Sequence, residues 1–282
     1  MTQLTRRDFL KLTGTALAAG LVTTSGVVGI ANQAYEPVIR RIAIPVKGLK
    51  SALEGFRIVQ LTDFHMYPYT TSGLVSKSVA LANSLGPDLT VLTGDYVWRI
   101  PEGAEDLAAI LSGLNARFGV YSVLGNHDIW LDVDLVMQAF ARHRLPMLVN
   151  QGIPVTVNNA SLYLAGLDDG WSGHPDLKTT LEGAPQDAPI ILLYHEPDLA
   201  DQVSLDPRLT LQLAGHTHGG QVRFPVRGPL ILPYLGRKYD YGLYRVNDMW
   251  LYTNPGIGMI SVPYRYNCPP EVTEFTLVGA RV

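Results

Sequence analysis

The sequence predicts an α/β fold, and three observations carry that expectation. Short β-branched runs recur at a regular interval: residues 57–62 end at Asp63, residues 88–93 at Gly94-Asp95, and residues 120–124 at Gly125-Asn126. Their ends lie about 31 residues apart, the length of one strand-helix-strand unit. Between them, residues 74–85 and 104–114 carry apolar side chains at helical spacing.

The other elements follow in order. Val38, Ile42, Ile44 and Val46 share one face of a period-two pattern, with Arg40 the exception, which predicts an edge strand ahead of the repeat. Residues 161–167, 189–194 and 209–214 read as buried strands, the last two ending in histidine clusters. From Gly242 onward the pattern is of further short strands with turns at Asn254-Pro255-Gly256 and Cys268-Pro269-Pro270. No linker or internal repeat interrupts this, so residues 35–282 are expected to form one domain. In open α/β sheets, ligands gather outside the carboxyl ends of strands. Five strands here end at polar motifs.

Composition excludes several classes. With 47% apolar and 17% charged residues in 282, the chain can bury a sizeable core and is not disordered. A formal charge of −3 gives no electrostatic case for nucleic acid. The single cysteine, Cys268, excludes an intrachain disulfide framework and a cysteine-based zinc site, and reads as a buried apolar residue. Residues 1–34 look like an address rather than structure. Thr5-Arg6-Arg7-Asp8-Phe9-Leu10-Lys11 is a twin-arginine signature, and nine of the twenty uncharged residues that follow it, 12–31, are Gly, Ser or Thr. Export by the twin-arginine (Tat) translocase to the periplasm or cell envelope is expected, with the segment serving as a membrane anchor if it is not cleaved.

The polar motifs are Asp63-Phe64-His65, Gly94-Asp95, Gly125-Asn126-His127-Asp128, Tyr194-His195-Glu196 and Gly215-His216-Thr217-His218-Gly219-Gly220-Gln221. At an extended strand end, residues i and i+2 point the same way, so Asp63 with His65, and His216 with His218, can each converge on one point. Carboxylate, imidazole and amide oxygen without thiolate suit divalent first-row ions such as Mn, Fe or Zn.

This order and spacing resembles the calcineurin-like metallophosphoesterases, whose D-x-H, G-D, G-N-H-D/E, H, G-H-x-H series it reproduces from Asp63 to His218. Gly55-Phe56-Arg57-Ile58, Gly219-Gly220-Gln221 and Pro269-Pro270-Glu271-Val272 resemble the exported or membrane-associated YaeI/YkuE-type branch. The resemblance implies a four-layer α/β/β/α sandwich of two mixed sheets flanked by helices, and a site for two divalent metal ions. Asp63, His65 and His218 would hold one ion, Asn126, His195 and His216 the other, with Asp95 between them. It further implies phosphoester hydrolysis, most simply of a diester, by a hydroxide held between the ions. His127 would face the substrate and assist the departing oxygen, with Asp128 orienting it and raising its pKa. The rival readings are a phosphomonoesterase, a lipid-linked pyrophosphohydrolase and a non-catalytic metal-binding envelope protein.

Other residues are weighed singly. Where many family members have a second acid after Gly-Asp, this chain has Trp98, followed by Arg99, which would contact phosphate or make a structural ion pair. His143 reads as a helix end, His174 as a surface loop residue and Glu196 as the start of a helix before Pro197. Residues 222–244 mix Arg223, Arg227, Arg237 and Lys238 with Phe224, Leu230, Ile231 and several tyrosines. They would grip an amphiphilic phosphate ester, with Arg223 a substrate contact, or rest on a membrane surface, or simply pack as an ordered loop.

Overall fold

The computed structural model describes residues 33–280, so the expected signal, residues 1–34, lies outside it but for its last two residues. The strands in chain order are β1 (Val38–Val46), β2 (Arg57–Leu61), β3 (Leu89–Leu92), β4 (Val120–Ser122), β5 (Gln151–Val157), β6 (Ala160–Gly166), β7 (Ile190–Leu193), β8 (Leu209–Ala214), β9 (Arg223–Phe224), β10 (Gly228–Pro229), β11 (Gly242–Val246), β12 (Met249–Thr253) and β13 (Glu271–Gly279). The helices are α1 (Ser72–Ser84), α2 (Gly103–Leu111), α3 (Asn126–Arg142) and two single turns, α4 (Leu177–Thr180) and α5 (Ala200–Val203). Among the described residues, no helix is long and apolar enough to cross a membrane.

Two mixed sheets form, in the orders β1-β13-β2-β3-β4 and β11-β12-β8-β7-β6-β5. Strand alternation builds three apolar layers from them. On β2, Ile58 faces the other sheet while Val59 and Leu61 face the helices; on β7, Ile191 and Leu193 point inward and Ile190 and Leu192 outward. The inner layer joins Ile58, Leu89 and Val91 of the first sheet to Leu164, Ile191, Leu211 and Leu213 of the second. The first sheet's outer layer meets α1, α2 and α3, and the second sheet's meets Leu181, Ala200 and Val203. The architecture is therefore the expected four-layer α/β/β/α sandwich.

Helix α1 starts where the Thr71 side chain accepts from Leu74 N, and buries Leu74, Val75, Val79 and Ala82. Helix α3 is broken at Asp132, whose backbone is extended and whose Oδ1 accepts from Leu135 N, restarting the helix as a new cap. Its first turn, carrying Asn126, His127, Asp128 and Trp130, is thus free to follow the site rather than the core.

Strand β5 and the two-residue strands β9 and β10 escaped the sequence pattern, and β13 was misjudged in length and place. Strand β5 contains Gly152 and Pro154, which break alternation; its edge position tolerates the proline, and a Cβ on Gly152 would sit 2.2 Å from Tyr163 Cε1. Strand β13 is no short terminal piece: it runs nine residues between β1 and β2, parallel to one and antiparallel to the other. Near the site the sheets are tied by Gln60 of β2, whose buried amide donates to Thr93 Oγ1 and to Ala214 O at the end of β8.

Candidate metal centre

The carboxyl ends of both sheets meet in one place. Asp63 follows β2, Asp95 follows β3, Asn126 follows β4, His195 follows β7, and His216 and His218 follow β8. Among the described residues, three groups have ligand atoms within 4.8 Å of one another: Asp63, His65 and His218; His65, Asp95 and His127; and Asp95, His195 and His216. Asp95 Oδ2 lies 3.4 Å from His65 Nε2 and 3.1 Å from His195 Nε2, and Asp63 Oδ1 lies 3.4 Å from His218 Nε2.

The convergence does not come from extended-strand alternation. The backbone turns left-handed at Asp63 (φ 51°), His65 (φ 44°), Asp95 (φ 57°), His216 (φ 73°) and His218 (φ 51°). Such conformations each cost roughly 1–3 kcal/mol in non-glycine residues and persist only when the surroundings enforce them. Here Asp63 N donates to Gly94 O, His65 N to Asp95 O, His216 N to the Asp63 carboxylate and Gly258 N to Asp63 O. The motif glycines let these turns touch: a Cβ on Gly125 would fall 2.4 Å from Asp95 Oδ1, and one on Gly215 2.2 Å from Asp63 Oδ2.

Backbone carbonyls set the tautomers, because a carbonyl can only accept. His195 Nδ1 donates to Thr93 O (2.6 Å), His65 Nδ1 to Val97 O (3.3 Å) and His216 Nε2 to Tyr234 O (2.7 Å). The opposite ring nitrogens, together with His218 Nε2 and Asn126 Oδ1, are buried without a hydrogen-bond partner. Four orphaned imidazole nitrogens grouped with two buried carboxylates, and an orphaned amide oxygen on Asn126, fit divalent cations. The electrostatics of the metal-free chain express the same need. Burial lowers the His195 imidazole, but Asp95 outweighs it and holds the ring well above its usual range. Burial, with His195 beside it, pushes His216 down to about 4, and burial pushes Asp63 up to about 6.

Several expectations are corrected. Asp128 does not orient His127: its carboxylate is fully buried and accepts from the backbone amides of Asp95 (3.0 Å), Tyr96 (2.8 Å) and Gly125 (2.9 Å). Nor is His127 raised; burial pushes it down to about 4 against the pull of Asp95. His127 also lies nearer the cluster than expected, its ring 4.8 Å from that of His65. Arg223 is a structural brace, bonded to Gly219 O and Asp240 Oδ2 at 2.7 Å each. Arg99 makes no ion pair among the described residues and stacks on Trp98, 4.1 Å from the ring centroid. Glu196 flanks a three-residue turn, Pro197–Leu199, but its side chain is buried and accepts from Gly170 N; burial and Asp169 hold it well above its usual range. His143 does cap α3 and pairs with Glu105 at 2.9 Å, and His174 is exposed.

Residues without a sequence signal complete the site. Arg265 is fully buried, its guanidinium donating to the carbonyls of Pro255, Gly258 and Cys268 and lying 3.4 Å from His218 Nδ1. An aromatic rim runs from His127 to Trp130 (5.0 Å between centroids), Trp171 (4.7 Å) and Tyr234 (5.4 Å).

Residues 56–220 match the family model for calcineurin-like phosphoesterases. The chain belongs to this family. Among its relatives, the uncharacterized metallophosphoesterase YkuE of Bacillus subtilis (strain 168) is 35% identical over 98% of this chain and 99% of that protein. Phosphodiesterase YaeI of Escherichia coli (strain K12) is 30% identical over 98% of this chain and 100% of that protein. A transmembrane protein with metallophosphoesterase domain from Bos taurus is 32% identical over 94% of this chain, which spans 62% of that protein. One solved structure aligns with a TM-score of 0.51 at 12% identity over 72% of this chain and 91% of its own, a likeness of fold alone. As a calcineurin-like phosphoesterase, the chain is a phosphoric ester hydrolase whose His/Asp clusters suit divalent metal ions.

The amide clamp of Asp128 gives a direct test. Asp128→Asn turns an N–H donor toward backbone N–H groups, so the Asp95 turn should loosen and metal affinity should fall about 10- to 100-fold with the fold intact by circular dichroism. Unchanged metal affinity with reduced turnover would instead return Asp128 to the role of orienting His127.

Proposed function

We propose that the chain is an exported, two-metal phosphodiesterase. The observation that carries the two-metal reading is the set of four unpaired buried imidazole nitrogens grouped with Asp63 and Asp95, with the Asn126 amide oxygen also buried and unpartnered. In it, Asp63, His65 and His218 would hold one ion and Asn126, His195 and His216 the other, with Asp95, beside both His65 and His195, available to both. Bound there, two divalent ions such as Mn, Fe or Zn supply Lewis acidity toward phosphoryl oxygen and bring the pKa of water toward neutrality. The reaction adds water across one P–O ester bond: water oxygen joins phosphorus, and the departing oxygen leaves with a proton. His127, at the partly exposed edge of the cluster with its backbone N held by Asp95 Oδ1, supports the phosphoryl group by hydrogen bonding. A diester is preferred over a monoester because the full-length relative YaeI is named a phosphodiesterase, and Arg223, the expected substrate contact, is committed to Asp240 rather than free to clamp a terminal dianion.

Hydrolysis of bis-p-nitrophenyl phosphate and p-nitrophenyl phosphate with added Mn, Fe or Zn tests the reading. Turnover of the diester should exceed that of the monoester and vanish on chelation; a monoester preference would overturn the diester assignment. His127→Asn should cut turnover by about 10²- to 10⁴-fold while metal content holds. Because the ring groups with His65 and Asp95, the second reading is that His127 is itself a ligand, and metal content falling in step with activity would establish it.

Export rests on Thr5-Arg6-Arg7 and the weakly apolar stretch after it. Replacing Arg6 and Arg7 by Lys should strand the protein in the cytoplasm on cell fractionation. Unaltered delivery to the envelope would remove the twin-arginine assignment.

A further inference from the structure

Beside the metal centre lies an apolar cleft of about 330 Å³, within the range of roughly 300–1,000 Å³ that small-molecule sites occupy. Its wall shares His216 and His218 with the cluster and is otherwise built largely from Val222, Leu230, Ile231, Ile260 and Val262. Leu230 and Ile231 are 54% and 80% exposed, an arrangement that leaves apolar surface in water at the mouth of a site for a charged group.

The cleft is constructed rather than incidental. The Gln221 side chain stitches its far wall in place, donating from Nε2 to Ile260 O and Val262 O at 3.0 Å each, while Oε1 accepts from Ile260 N at 2.9 Å. Gly220 lets the near wall close down, since a Cβ there would meet Pro229 Cβ at 2.3 Å. Tyr234, whose carbonyl fixes His216, continues that wall toward the aromatic rim. Of the four basic residues that the sequence interleaves with these apolar ones, Arg223 is spent on Asp240 and Lys238 on Asp201, and none of the four lines the cleft. The cleft therefore offers hydrocarbon contact and no paired cations for a second anionic group.

We infer that this cleft receives the aliphatic chain of an amphiphilic phosphoester whose phosphate sits at the metal centre. The inference rests on the phosphodiesterase reading and adds its substrate class. Continuity decides the occupant: a phosphate ester placed against His216 and His218 puts its substituent at the cleft's entrance, and burying that substituent as hydrocarbon is the favourable outcome.

A series of alkylphosphonates tests this by calorimetric binding to the full chain loaded with Mn. Affinity should rise about two- to fourfold per methylene, making octylphosphonate at least about 100-fold tighter than methylphosphonate. Ile231→Asp and Leu230→Asp, both at exposed positions that folding tolerates, should reduce that ratio to about tenfold or less. Equal affinity for octyl and methyl, no binding at any length, or a ratio that survives both substitutions would overturn the inference. So would loss of binding to phosphatidylglycerol vesicles in the variants with the octyl-to-methyl ratio unchanged, which would make the face a membrane contact. Failure to hydrolyse bis-p-nitrophenyl phosphate is a separate result, and it defeats the hydrolase reading; turnover of that diester without chain-length dependence defeats the cleft alone.

Discussion

The Asp95 carboxylate is the constraint around which both sheets are arranged. It is buried between His65 and His195, whose carbonyl-bonded Nδ1 atoms leave Nε2 free to face it, at 3.4 and 3.1 Å. Removing a carboxylate and several imidazole lone pairs from water is unfavourable unless cations replace the solvent. The electrostatics reflect this crowding: Asp95 holds the His195 imidazole well above its usual range, while burial pushes His216 and His218 low. Divalent ions held there would satisfy these groups together, and their binding would couple directly to the stability of the turns that carry them.

Those turns are expensive alone and cheap together. The left-handed residues at the ends of β2, β3 and β8 are held by one another's backbones, and Asp128 gathers the amides of the Asp95 turn and the start of α3 onto one carboxylate. Gln60 adds a cross-link between the sheets a few residues upstream. The ligands thus sit at the ends of the sheets, and the substrate-facing parts, the aromatic rim and the apolar cleft, are built on the first turn of α3 and on the loops beyond β6, β8 and β12.

Much of this was legible in the sequence. The recurrence of apolar runs ending in Asp, Asn or His located the strand ends and hence the site, and the order of five motifs carried the family resemblance. Its geometry was not legible. The i and i+2 pairs converge through positive-φ turns rather than extended backbone, and Asp and His, though enriched at positive φ, adopt it in too few cases for identity alone to mark the turn. Asp128 and Arg223 were misassigned for a shared reason: their partners are partly or wholly backbone groups, which every residue possesses and no pattern reports. Arg265 was invisible on the same ground. Strand β5 was hidden by Gly152 and Pro154, acceptable only because β5 lies at an edge, and the internal place of β13 depends on a long-range pairing that local periodicity does not encode.

The central claim is that Asp95 lies between two cations. Anomalous diffraction from crystals of the Mn-loaded protein measures this most directly. Two peaks roughly 3.5–4 Å apart, one against Asp63, His65 and His218, the other against Asn126, His195 and His216, with Asp95 touching both, is the expected result. A single peak at full occupancy in excess Mn, or two peaks with Asp95 bound to only one of them, would contradict it.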